Sequence, residues 1–189
     1  MKLVFNSISG VESVGDVFAK PVETHQKMKT FFCSFFLLLV VASLHARTIQ
    51  GKVTRVIDGN TLEFLSADGD KYTLLLAGID CPELSQAFGD KARLCLEKLA
   101  LNKAAAVTLK GLDRAGNSVA EVLIDGKKDP RIQLLKEGLA WTDESNSESG
   151  LESYRISSQS KKKGLWQDEN PTPPWTHRRQ QSTIEPKRS

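Results

Sequence analysis

The chain has 189 residues, 40% hydrophobic and 26% charged, and these proportions exclude a disordered polypeptide and a multi-span membrane protein. That length holds one ordinary domain with its own core, plus extensions at both ends. A formal net charge of +3 permits contact with phosphate backbones but falls short of a strongly basic nucleic-acid binder.

Residues 1–27 fit no targeting pattern and read as an extension from a mis-assigned start. Met28-Lys29-Thr30 then opens a basic segment that leads into the apolar run Phe31 to Leu44. The run is too short to cross a bilayer comfortably and ends in small residues before Arg47, so residues 28–46 are expected to be a signal peptide, cut after Ala46. The mature chain is then secreted or periplasmic, with no stable membrane span. Cleavage takes Cys33 away and leaves Cys81 and Cys95. A disulfide between them and two free thiols both stay open, because spacing alone does not bring α-carbons together.

From Thr48 to Leu65 apolar and polar residues alternate around Asp58-Gly59-Asn60, a hairpin signature. Asp68-Gly69-Asp70 is a second turn, leading into a strand from Lys71 to Ala77 whose Leu74-Leu75-Leu76 run suits burial on both sides. Phe88 to Asn102 carries apolar residues at helical spacing. Strands follow at Ala105 to Lys110 and Ser118 to Ile124, then short helices from Arg131 to Gly138 and Leu151 to Lys163. Residues 167–189, rich in proline and charge, are expected to be extended, with Arg178-Arg179 a solvated tail. Trp141, Trp166 and Trp175 are expected to be core and docking anchors. This order predicts an α+β domain over residues 47–166: a five-stranded Greek-key barrel of the OB type with about three helices.

Two runs go further: Val56-Ile57-Asp58-Gly59-Asn60-Thr61 and Leu75-Leu76-Ala77-Gly78-Ile79-Asp80-Cys81-Pro82-Glu83. With Phe88-Gly89, Asp113-Arg114, Gly138-Leu139-Ala140-Trp141, Gly164-Leu165-Trp166 and Pro173-Pro174-Trp175, they resemble the thermonuclease (staphylococcal nuclease-like) family, in one order from about Gln50 onward. The resemblance implies an OB barrel that hydrolyses DNA and RNA phosphodiesters with calcium. A phosphodiester repels hydroxide. A site of this kind therefore needs a hard cation on oxygen ligands, arginines for the developing oxyanion, and a carboxylate to handle water.

Carried over residue by residue, the resemblance places calcium on Asn60, Asp80 and the Cys81 backbone carbonyl, with Asp58 as a possible outer ligand. Asn60 stands where the family keeps an aspartate, so calcium affinity is expected to be weak or lost. Glu83 matches the glutamate that handles the attacking water, as a weak or vestigial catalytic group. The two arginine places hold Leu75 and Asn117, neither of them a cation. Tyrosine places hold Ala115, Glu144 and Asn146, so base stacking is reduced. Arg114 and Lys71 are the candidate replacement cations and nucleic-acid contacts.

Three readings follow. The chain is an exported domain with a degraded site, weak or inactive in hydrolysis and kept to bind single-stranded or duplex nucleic acid or another ligand. It is a working calcium-dependent nuclease. Or it is a monomeric envelope scaffold that uses the barrel for interaction.

Overall fold

A computed structural model describes residues 48–113, 115–143 and 149–184. The extension, the signal segment, Arg114, Glu144 and Asn146 lie outside the described residues. Alternation builds the first hairpin as expected: strands β1 (Thr48–Val56) and β2 (Thr61–Ser66) pair antiparallel, turning inward Val53, Leu62 and Phe64, each at most 1% exposed. Strand β3 (Lys71–Leu76) continues the meander against β2. Strand β4 is a two-residue piece, Ile79–Asp80, and helix α1 spans Gly89–Ala100. Strands β5 (Ala104–Leu112) and β6 (Ser118–Ile124) pair antiparallel. β3 meets β6 in parallel and β1 meets β5, closing a barrel in the order β1-β2-β3-β6-β5. Closure leaves no free sheet edge.

Helix α2 (Pro130–Lys136) starts on Asp129, whose side chain accepts the Arg131 N–H, with proline at the first helical position where no donor is lost. α1 buries Ala92, Leu96 and Ala100, and α2 buries Leu134 and Leu135, all in one cluster with the barrel interior. Strand β7 (Trp141–Thr142) pairs with β4, a small second sheet that the sequence pattern did not announce because each piece is two residues long. Helix α3 (Ser149–Ser160) and a 3-10 turn, Gly164–Gln167, follow.

The expectation of an extended tail is corrected. Pro174–Ile184 is a helix, α4, the fourth among the described residues where about three were expected. Its first residue, Pro174, is fully buried, and the Trp175 ring lies edge-on to Trp141 at 5.6 Å, with Trp166 on Trp141 at 4.5 Å. Trp141 and Trp166 are thus the anchors they were read to be, and Trp175 docks a helix rather than a loop. Among the described residues no helix is long and apolar enough to cross a membrane.

Gly59 brings the first turn against the second motif. A Cβ there would lie 2.6 Å from the Cys81 Cβ and 2.7 Å from that of Ala92, closer than packed carbon atoms approach. Gly59→Ala is expected to cost about 2 kcal/mol through overpacking. A lowered urea midpoint at unchanged slope checks this; an unchanged midpoint would show that the turn can retreat freely.

Candidate functional site

The barrel opens at one end into a cavity of about 990 Å³, and both motifs line it. Asp58, Asn60, Asp80, Cys81 and Glu83 all reach it, as do Leu75 and Asn117 from the two places where a guanidinium was missed. The residues singled out by the family resemblance therefore line one mouth. Arg114 is outside the described residues. Lys71 is exposed at the start of β3, opposite Leu65, and does not line the cavity. Leu75 lies four residues further along the strand, about 13 Å away at the usual rise. Lys71 does not replace a missing arginine here.

Backbone and side-chain hydrogen bonds hold the two motifs in register. The Asn60 N–H donates to Asp58 Oδ1 at 2.9 Å, an Asx turn, and the Asn60 carbonyl accepts from the Leu76 N–H at 2.8 Å. Asn60 Oδ1 accepts from the Cys81 N–H at 3.2 Å. Behind the second motif, Arg131 is buried in an ion pair with Asp129 at 2.8 Å and donates from Nη1 to the Ala77 carbonyl at 2.9 Å. Asp80 sits on β4, pinned by pairing with Trp141. Thr142, next in β7, donates to Glu152 at 2.5 Å, and Glu152 pairs with Arg155, whose hydrogen bonds hold the Glu152 carboxyl below its ordinary range.

Glu83 starts a tight turn. Its N–H donates to Gln86 Oε1 at 2.9 Å and its carbonyl accepts from the Gln86 N–H at 2.8 Å. Gly89 lets α1 begin directly against this turn, because a Cβ there would overlap the Glu83 carbonyl. On the far side of the mouth, Asn117 Nδ2 donates to Asp113 Oδ2 at 3.0 Å, and this bond leads those that hold the Asp113 carboxyl down. Leu75, between the fully buried Leu74 and the 2% exposed Leu76, is only half buried because its side of the strand is the cavity wall.

One group at the mouth was not anticipated. Arg178, on α4, lays its guanidinium across both site carboxylates: Nη2 to Asp80 Oδ2 at 2.8 Å, Nη1 to Asp80 Oδ1 at 3.3 Å, and Nη1 to Glu83 Oε1 at 2.7 Å. The reading of Arg178-Arg179 as a solvated tail is corrected for Arg178; Arg179 is exposed. A signal for it was present. Proline at a helix's first position and a tryptophan anchor three residues before the arginine place Trp175 and Arg178 on one helical face.

Burial pushes the Asp80 carboxyl above its ordinary value, and the nearby charges of Glu83 and Asp58 push the same way, while Arg178 pulls it back. Arg178 is in turn held firmly protonated by its hydrogen bond to Asp80. Burial and the Asp80 charge raise the Cys81 thiol. Cys81 and Cys95 are both free thiols, which closes the disulfide question.

The donors are of the oxygen type that a hard dication takes, although among the described residues no group of three such side chains is placed to hold a metal ion. Asp58, Asp80 and Glu83 offer carboxylate oxygens, the Cys81 carbonyl lies in the same wall, and Asn60 Oδ1 keeps a second lone pair beyond the one facing Cys81. A positive group, the Arg178 guanidinium, already rests on Asp80 and Glu83.

The sequence also matches known proteins. Residues 73–168 match the family model described as "Staphylococcal nuclease homologue". The chain is 33% identical over 155 residues to an "Uncharacterized endonuclease" of Haemophilus influenzae, covering 81% of this chain and 86% of that protein. It is 29% identical over 154 residues to a "Micrococcal nuclease" of Shigella flexneri, covering 76% and 88%, respectively. A "Staphylococcal-like nuclease CAN1" of Arabidopsis thaliana is 31% identical over 138 residues, 72% of this chain and 41% of the plant protein.

Proposed function

We propose that this chain, which belongs to the staphylococcal nuclease homologue family, binds the phosphodiester backbone of nucleic acid at the barrel mouth and cleaves it slowly in the presence of calcium. The observation that carries the reading is the meeting of Asp58, Asp80 and Glu83 at one mouth with Leu75 and Asn117. Carboxylates of the kind that ligate a hard dication line the mouth, and cations to meet the oxyanion are missing from those two places.

In this reading Asp80, Asn60 and the Cys81 carbonyl would hold the calcium ion, with Asp58 behind them, and the ion would supply Lewis-acid polarisation of the phosphate. Glu83, fixed at its turn by Gln86, orients and deprotonates the attacking water. Leu75 and Asn117 offer no charge to the developing oxyanion, and each missing donor of that kind typically costs ~10²- to 10³-fold in rate. The apolar segment from Phe31 to Leu44 supports export of the domain.

Purified protein is expected to cleave single-stranded DNA and RNA at least ~10³-fold more slowly than a relative with both arginines, to stop on calcium chelation, and to lose the remainder in Glu83→Gln. Nucleic-acid binding without any cleavage would reduce the protein to a binding module. Cleavage indifferent to chelator and to Glu83→Gln would overturn the proposed site.

A further inference from the structure

We infer that Arg178 is the cation that meets the scissile phosphate, delivered to the barrel mouth by the C-terminal helix in place of the arginines absent at Leu75 and Asn117. The inference rests on the proposed function and adds a catalytic residue to it.

Charge makes the case first. Asp58, Asp80, Glu83, Asp113 and Asp143 line the cavity, and Arg178 is the one lysine or arginine among the described lining residues. A phosphodiester entering such a mouth meets net repulsion unless positive groups answer it. One calcium ion balances only part of that charge. Arg178 is the remaining candidate that the described structure puts within reach.

The placement is built. Pro174 is buried, Trp175 packs on Trp141, Ser85 Oγ and His177 Nε2 lie 2.9 Å apart, and Gln86 Nε2 donates to the Thr172 carbonyl at 3.0 Å. These contacts dock α4 onto the loop that carries Glu83 and onto the partner strand of Asp80, independently of the arginine's own ion pairs. The Arg178 side chain is 50% exposed and that of Asp80 19%, so the guanidinium closes the carboxylates from the solvent side.

The fork of donors rests on Asp80 and Glu83. Two non-bridging phosphate oxygens present the same planar, bidentate pattern as a carboxylate, so a guanidinium that reaches these acids has the shape to take a phosphate at the same mouth. A lysine offers no such fork.

The test uses the full chain with Arg178→Ala, Arg178→Lys and, as control, Arg179→Ala at the exposed neighbour. Cleavage of a single-stranded oligonucleotide in calcium is read as kcat and KM. Anisotropy of the same oligonucleotide is read in a Glu83→Gln background, and calcium binding alone by calorimetry. Arg178→Ala is expected to lower kcat/KM by ~10²-fold with an unchanged melting temperature, Arg178→Lys to recover a small part, and Arg179→Ala to match wild type. Calcium affinity should hold or rise in Arg178→Ala, since a competitor for Asp80 is gone. Wild-type cleavage that Arg178→Ala leaves unchanged would overturn the assignment alone. Faster cleavage in that variant would make α4 a plug and overturn it too. A wild type that neither binds nor cleaves would overturn the proposed function, and the assignment with it.

Discussion

Asn60→Asp, Leu75→Arg and Asn117→Arg introduced together are expected to raise calcium-dependent cleavage by about 10²- to 10³-fold over the natural chain. Each position is prepared for the change. Leu75 and Asn117 already line the cavity, and Leu75 is half-buried at its wall, so an arginine there meets the mouth rather than the core. An aspartate at position 60 keeps the acceptor that Cys81 N–H uses and adds the charge that a dication lacks there. Single changes should do little, because the groups act as a unit on one phosphate. Initial rates at saturating calcium, with circular dichroism to confirm folding, check the result. A triple variant no faster than wild type would show that the limit lies elsewhere, in the missing tyrosines or in release of Arg178 from its acids.

Arg131→Ala is expected to be the most damaging single change to stability, at about 3 to 5 kcal/mol. The Arg131 and Asp129 side chains are only 6% and 13% exposed, so removing the guanidinium leaves a carboxylate uncompensated in a poorly solvated place. The same substitution strips the Ala77 carbonyl of its donor at the entrance to the second motif. Replacement of Arg131 and Asp129 together by apolar residues should cost much less, since a buried pair is expensive chiefly when broken. Equilibrium denaturation of the two variants separates these outcomes. Equal losses in both would mean that the strand carbonyl, rather than the ion pair, is what matters.

The barrel was readable because each strand carries its own period and each turn its own chemistry. Asp58-Gly59-Asn60 and Asp68-Gly69-Asp70 announce hairpins wherever they occur. The mouth was readable because the family resemblance and the order of the turns together bring the loop of Asp58 and Asn60 to that of Asp80 and Glu83. The pairing of β4 with β7 was not, since two residues have no period, and its partners lie sixty residues apart in the chain. Arg178 was missed for a different reason, although Pro174 and Trp175 carried a helix signal. Composition marks residues 167–189 as proline-rich and basic, which describes a solvated peptide equally well, and only the docking of Trp175 on Trp141 turns that segment into a wall of the site. The disulfide question illustrates the same limit. Cys81 and Cys95 are near in sequence yet stay free, one buried under the Asp58 turn and the other partly exposed on α1.

Between the 3-10 turn and α4 the chain runs through Asp168, Glu169 and Asn170, all exposed. Among the described residues no barrel strand lies beyond that point, so a protease cutting one peptide bond there leaves the barrel chain unbroken. What it detaches is the segment carrying Pro174, Trp175 and Arg178, then held only by its own contacts. Resistance to heat and competence at the mouth are therefore separable by a single nick, and a preparation judged intact by its melting curve can have lost the guanidinium from its acids.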